Sequence, residues 1–194
     1  MSLAAFARAS SFAAERHRTQ RRKGGDGRTP YVNHPLRVAS LLAEAGVDDS
    51  VVLQAAVLHD VLEDCEDTSY ADLEERFGQA VASTVLECSD DKRHAKVLRK
   101  AEAVSKAPRL SEAAALVTLA DKLHNLQSMA ADGPPQGWSR DRVVAYAGWA
   151  SEVAAPLRQH SAALADQLDA ALAALGHDAA AYATGSWVAH TPEQ

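Results

Sequence analysis

The sequence predicts an all-α fold: one domain, a single helical bundle with no sheet of note. Three observations carry this. Apolar content is 47%, and it is rich in Ala and Leu while strand formers are thinly spread. Apolar positions recur at helical spacing, as in Leu116, Leu119, Leu123 and Leu126. A length of 194 residues suffices for one domain with a real core and leaves no room for two large ones.

The elements follow in order. Residues 3 to 20 are expected to form the first helix. Phe6, Phe12 and the intervening alanines give its apolar face, and a basic cluster (Arg16, Arg18, Arg21, Arg22, Lys23) lies at its end. Gly24 to Pro30 reads as a loop on turn chemistry. Pro35 suits the first turn of a second helix to about Ala45, capped near Asn33 or His34 and ended by Gly46. Asp48 to Ser50 cap a helix over Val51 to Asp64. Its first half has no charged residue, the pattern of a helix buried on all sides. Ser69 to Arg76 makes a short helix stopped at Phe77-Gly78, and Val81 to Glu87 another. Ser89 to Lys92 open a basic helix through Lys106, closed by Pro108.

Ser111 begins a long helix with Glu112 in its first turn. A Gly/Pro-rich loop from Asp132 to Gly137 leads to helices over about Arg140 to Gln159 and Ser161 to Leu175. Residues 1–175 thus read as the domain. Residues 176–194 read as a tail, partly ordered or packed in an oligomer.

Charge and cysteine usage narrow the function classes. A net charge of −6 with a pI near 5.7 argues against a nucleic-acid binder. Cys65 and Cys88 form no CxxC pair, which suggests a reducing compartment and no disulfide framework. No apolar run approaches the roughly 20 residues of a membrane span. The expected setting is cytoplasmic, with no membrane and no nucleic-acid partner; an oligomer is possible and its size is open.

Chemistry concentrates at the end of the helix over Val51 to Asp64. At about 100° per residue, His59, Asp60, Glu63 and Asp64 fall near about 0°, 40°, 100° and 140° and share one side. Three carboxylates and an imidazole at the mouth of a core helix are costly unless something cationic compensates them. A divalent metal with a bound water is the simplest compensation. An isolated His-Asp pair would fit an ordinary solvent-facing terminus better. The additional Glu63-Asp64 pair, with His34 and Asp121 on other helices, favours the metal.

Two imidazoles and two carboxylates (His34, His59, Asp60, Asp121) suit Mn²⁺, Fe²⁺ or Zn²⁺. Such an ion lowers the pKa of its water and polarises a phosphoryl oxygen. Glu63 and Asp64, one turn further on, are placed to position or deprotonate that water, or to protonate a leaving oxygen.

The H…HD…D pattern resembles that of the HD hydrolases, and further motifs narrow the resemblance. Arg22-Lys23, Thr29-Pro30-Tyr31, Asn33-His34-Pro35, the HDxxED run from His59 to Asp64 and ADKLxNL from Ala120 to Leu126 occur in one order. His17 and Gln20 precede them, and Gly137-Trp138-Ser139, Tyr146 and Trp149 follow. Together, over about residues 12 to 157, they are similar to the hydrolase domain of the RelA/SpoT proteins, and to stand-alone small alarmone hydrolases of the metazoan SpoT-homologue type.

The resemblance implies a single-domain HD-fold enzyme that hydrolyses the 3′-diphosphate of (p)ppGpp to GDP or GTP and pyrophosphate, with one Mn²⁺ per chain. It implies His34, His59, Asp60 and Asp121 as metal ligands and Glu63 with Asp64 as the catalytic pair. Arg22 and Lys23 would line the guanosine side, Asn125 and Tyr146 the ribose and base region, and Lys96 and Arg142 the phosphates. The synthetase domain of the long relatives is not expected.

Departures from the pattern, such as the Gly-rich loop after Lys23 and Gln127, touch the pocket edge and bear on nucleotide preference. Arg93, Arg99 and Lys100 read as a solvated helix face, and His17 and His124 as packed or surface histidines. Two other functions keep some of these features. One is an HD-type phosphohydrolase of another 3′(2′)-phosphorylated nucleotide such as NADPH. The other is a regulatory nucleotide-binding module without turnover, which the intact acid pair argues against.

Overall fold

A computed structural model describes residues 2–24, 27–178 and 183–191. Gly25 and Asp26 of the Gly-rich loop, and parts of the 176–194 stretch, lie outside these. The fold is all-α, as the sequence predicts. Among the described residues there is no strand, only an isolated antiparallel bridge between Arg21 and Pro30.

The helices are α1 (Leu3–Arg16), α2 (Asn33–Glu44), α3 (Ser50–Leu58), α4 (Val61–Asp64), α5 (Tyr70–Phe77), α6 (Gln79–Cys88), α7 (Lys96–Lys106), α8 (Glu112–Asp132), α9 (Arg140–Ala154) and α10 (Ala162–Ala174). Short 3₁₀ turns cover Ala107–Arg109, Ala155–His160 and Ser186–His190.

Helix α3 is the hub, packing against α1, α2, α6 and α8. Every residue from Val52 to Leu58 is buried, as its uncharged sequence demands. Each fully buried Leu or Val there contributes roughly 1.5–3 kcal/mol. The Asp49 side chain caps α3 by accepting from the backbone of Val51 and Val52. Helix α8 carries the second half of the core: Leu119, Leu123 and Leu126 are fully buried, and it packs on α2, α3, α6 and α10.

The first helix ends at Arg16, short of the expected residue 20, and three other boundaries differ from the sequence reading, each for a local reason. The helix expected over Val51 to Asp64 breaks at His59-Asp60. The His59 ring nitrogen Nδ1 lies 2.8 Å from the Ala56 carbonyl, so a side chain takes the acceptor that the next turn would use. Both residues keep right-handed helical angles, so the four ionisable groups still leave one side of the element.

The basic helix expected from Ser89 starts only at Lys96. The Asp90 amide donates to Glu63 Oε2 at 3.3 Å, and the Asp91 carboxylate accepts from the Arg93 amide at 3.0 Å. The helix expected to reach Gln159 turns 3₁₀ after Ala154, where Pro156 lacks the N–H an α-helix needs.

Of the stretch after residue 175, the turn Ser186–His190 packs on α9. Trp187 is buried there, its Nε1 donating to Glu152 Oε2 at 3.2 Å.

Candidate metal centre and active site

Four elements bring the predicted ligands together. His34 stands in the first turn of α2, His59 and Asp60 at the α3–α4 break, and Asp121 in the middle of α8. His34, His59 and Asp121 offer ligand atoms all within 4.8 Å of one another. Asp60 joins them: its Oδ2 is 3.1 Å from His59 Nε2 and 3.5 Å from His34 Nε2. Asp121 Oδ1 is 3.0 Å from His34 Nε2 and 3.7 Å from His59 Nε2.

The chemistry of this set fits a cation. His59 Nδ1 donates to the Ala56 carbonyl, which leaves Nε2 as a buried lone pair with no hydrogen-bond partner among the described residues. That lone pair faces two carboxylates. Lone pair and carboxylates repel unless a proton or a metal stands between them. Burial works against a charged His59, yet Asp60 and Asp121 outweigh it and hold its pKa well above the ordinary value. For His34 burial dominates and lowers the pKa. Burial alone would raise Asp121; Lys122, His34 and His59 overcome it and hold the carboxyl down.

Further side chains hold each ligand. The Tyr31 hydroxyl donates to Asp60 Oδ2 at 2.7 Å. Asn125 Nδ2 donates to Asp121 Oδ1 at 2.6 Å, and the half-buried Lys122 ammonium to Oδ2 at 2.7 Å. His34 Nδ1 lies 2.6 Å from His124 Nδ1, and His124 Nε2 lies 3.2 Å from the Ser128 hydroxyl. Burial, with His34 and Arg22 nearby, pushes His124 down to about 3. His124 is therefore neutral and can accept from one nitrogen while donating from the other. Such outer partners fix ligand tautomer and direction.

The acid pair is held from two sides. Glu63 accepts from the Asp90 amide and from Arg99 Nη1, the latter at 3.5 Å. Burial, then the negative Asp90, Asp60 and Asp64, push its carboxyl up to about 7. Asp64 Oδ2 accepts from Gln20 Nε2 at 2.7 Å, and Oδ1 is paired with Lys92. Gln20 is itself aimed by His17, whose buried Nδ1 lies 2.6 Å from Gln20 Oε1.

A cavity of about 1310 Å³ opens over this centre, lined by Asp60, Glu63 and Asp64 and by Arg22, Lys23, Asn125 and Tyr146. Arg22 donates to Asn125 Oδ1 at 2.8 Å and lies over the Tyr31 ring. Lys96 and Arg142 stand apart, in a smaller adjoining cavity.

The sequence reading missed several contributors. Gln20, Tyr31, Lys92, Lys122 and His124 each touch a predicted site residue. Gln20, Tyr31, Lys122 and His124 sit among the residues that carry the resemblance, so their membership was the available signal. Lys100, read as solvated, is instead packed among three aromatic rings. Arg93 does face solvent, paired with Asp91.

Helical bundle, His-Asp pair and a distant Asp define a class. Residues 9–159 match the HD-domain model, and the chain belongs to the HD-domain family. Within it, the chain is 48% identical over 162 residues to guanosine-3′,5′-bis(diphosphate) 3′-pyrophosphohydrolase MESH1 of Xenopus tropicalis, covering 83% of this chain and 89% of that protein. It is 50% identical over 146 residues to MESH1 of Homo sapiens, covering 75% and 80%. The fold superposes on a solved metazoan orthologue of SpoT, described as hydrolysing ppGpp, with a TM-score of 0.83 and 41% identity. That match covers 88% of this chain and 95% of the other.

Proposed function

We propose that this protein is a metal-dependent guanosine-3′,5′-bis(diphosphate) 3′-pyrophosphohydrolase, converting (p)ppGpp to GDP or GTP and pyrophosphate. One observation carries the reading: His34, His59, Asp60 and Asp121 converge on one point, with Glu63 and a twice hydrogen-bonded Asp64 beside it. The same activity is named for relatives that this chain matches over most of their length.

His34, His59, Asp60 and Asp121 would hold the ion, which we take to be a single Mn²⁺ given the mixed nitrogen and oxygen donors. The chemistry such an ion supplies is a water of lowered pKa and a polarised phosphoryl oxygen. The chain supplies the rest. Asp64, its two oxygens fixed by Gln20 and Lys92, accepts a proton from the attacking water. The bond from the 3′-oxygen to phosphorus breaks, and Glu63 gives its proton to that oxygen. Arg22, Lys23, Asn125 and Tyr146 line the nucleoside side of the cavity, and Lys96 and Arg142 meet phosphates. Residues 1–175 carry this machinery. Both cysteines are free, which supports a reducing, cytoplasmic setting.

The test is a nucleotide panel with Mn²⁺, with and without chelator, scored for pyrophosphate against orthophosphate. ppGpp should yield GDP and pyrophosphate only when the metal is present. Orthophosphate from NADPH without pyrophosphate from ppGpp would overturn the reading.

A further inference from the structure

The two members of the acid pair are not held alike. Asp64 is gripped by two side chains, Gln20 at 2.7 Å and Lys92. The contacts of Glu63 are longer: the Asp90 amide at 3.3 Å and Arg99 Nη1 at 3.5 Å. The aim of Glu63 therefore depends on how firmly the Ser89–Asp90 peptide is placed.

That peptide has no helix to hold it. Helix α6 ends at Cys88, Ser89 is extended, and α7 begins only at Lys96. Ser89 Oγ closes α6 by donating to the Val85 carbonyl at 2.8 Å, which leaves the Ser89 carbonyl pointing away from the helix. Its partner comes from the far end of α7. Lys106 Nζ donates to the Ser89 carbonyl at 2.9 Å and to Asp90 Oδ1 at 3.1 Å.

The Lys106 ammonium and Glu63 thus stand on opposite edges of one peptide unit. A trans peptide is planar, with its C=O and N–H pointing opposite ways. Drawing the Ser89 oxygen to Lys106 turns the Asp90 N–H toward Glu63. A charged donor on the carbonyl also polarises the unit and strengthens the N–H it presents.

Lys106 bears on Glu63 in a second way. Among the negative groups that raise the Glu63 pKa, Asp90 stands first, and Lys106 pairs with it. Those two side chains are 30% and 25% exposed, so solvent weakens the charge effect and the bond to the Ser89 carbonyl carries more.

We propose that Lys106 is a positioning residue that fixes the proton donor Glu63 through the Ser89–Asp90 peptide. The proposal deepens the hydrolase reading and rests on it for the reaction that Glu63 serves.

Two measurements test it. In metal-free, ¹⁵N-labelled full-length protein the Asp90 amide proton should move downfield as pH rises through about 7, where Glu63 ionises and becomes the stronger acceptor. Glu63→Gln should abolish that movement. The other charges facing Glu63, Asp60 and Asp64 from the α3–α4 element and Arg99 from α7, are the same in every variant. Lys106→Met should remove most of the movement and Lys106→Arg should keep it. An Asp90 amide that follows Glu63 equally in Lys106→Met refutes the proposal, whatever the protein hydrolyses.

The second measurement is turnover of ppGpp with Mn²⁺. Lys106→Met should lower kcat about tenfold with KM within about twofold, and Lys106→Arg should restore most of it. On the Glu63→Gln background Lys106→Met should cost less than about twofold, because residues acting through one another share a single loss. A full loss on that background would overturn the proposal, since Lys106 would then serve the loop and not the acid. If the unaltered chain leaves ppGpp intact, the hydrolase reading fails and the amide measurement still decides on Lys106.

Discussion

Replacing His124 by Phe probes how the metal centre is held. His34 is 1% exposed, and to offer Nε2 to a cation it must carry its proton on Nδ1. Among the described residues that proton has one acceptor, His124 Nδ1 at 2.6 Å, and the two rings stack with centres 4.9 Å apart. Phe preserves the ring and the stack but removes the lone pair. A buried donor left unpaired costs about 1–3 kcal/mol. The alternative, moving the proton to Nε2, takes away the ligand atom. Either way Mn²⁺ affinity should fall by roughly 10- to 100-fold, the range typical of lost outer-sphere partners. Competition with a chromogenic chelator, on stripped protein whose helicity is unchanged by circular dichroism, measures this directly. An affinity within about twofold of the unaltered chain would show that His124 is only packing.

Three further outcomes follow from the same geometry. Glu63→Gln and Asp64→Asn should each lower kcat by roughly 10²- to 10⁴-fold, the usual contribution of general acid–base groups, while equilibrium dialysis finds nucleotide still bound. Gln20→Leu removes the donor to Asp64 Oδ2 without touching the metal ligands. It should lower kcat about tenfold, equivalent to about 1.4 kcal/mol, with KM little changed; a rise in KM alone would contradict the positioning role. Glu63 also sets a pH dependence in metal-free protein. Its folded pKa of about 7 lies above its ordinary 4.5, so the folded chain holds the extra proton. That stability is fully present below about pH 4.5 and is lost as pH rises through about 7. In chemical denaturation Glu63→Gln, which mimics the protonated form, should match the unaltered protein at pH 4 and exceed it at pH 8.

Much of the fold was legible because its signals are local. Asp49 caps α3 within the expected Asp48 to Ser50 stretch, Ser69 and Ser111 cap helices at the starts expected for them, and the uncharged run before His59 is buried throughout. The boundaries that differed depend on contacts from far along the chain. Asp90 leaves helical geometry as its amide bonds Glu63, 27 positions earlier. Among the candidate site residues, those with fixed spacing within one element, His59 with Asp60 and Glu63 with Asp64, were readable as a unit from periodicity. His34 and Asp121 are 87 positions apart in the chain; residue chemistry suggested them as ligands, but no spacing within one element tied them to His59 and Asp60. Lys100 was misread for a related reason: its aromatic surround comes from α9 and from Trp187, which no window around residue 100 contains.

The central claim is that side chains at 34, 59, 60 and 121 converge on one cation. Anomalous diffraction from Mn²⁺-loaded crystals tests it most directly. One peak per chain, bonded to His34 Nε2, His59 Nε2 and a carboxylate oxygen from each of Asp60 and Asp121, is the result expected. A fully loaded protein whose manganese peak lies elsewhere, with His59 Nε2 still unbonded, would contradict it.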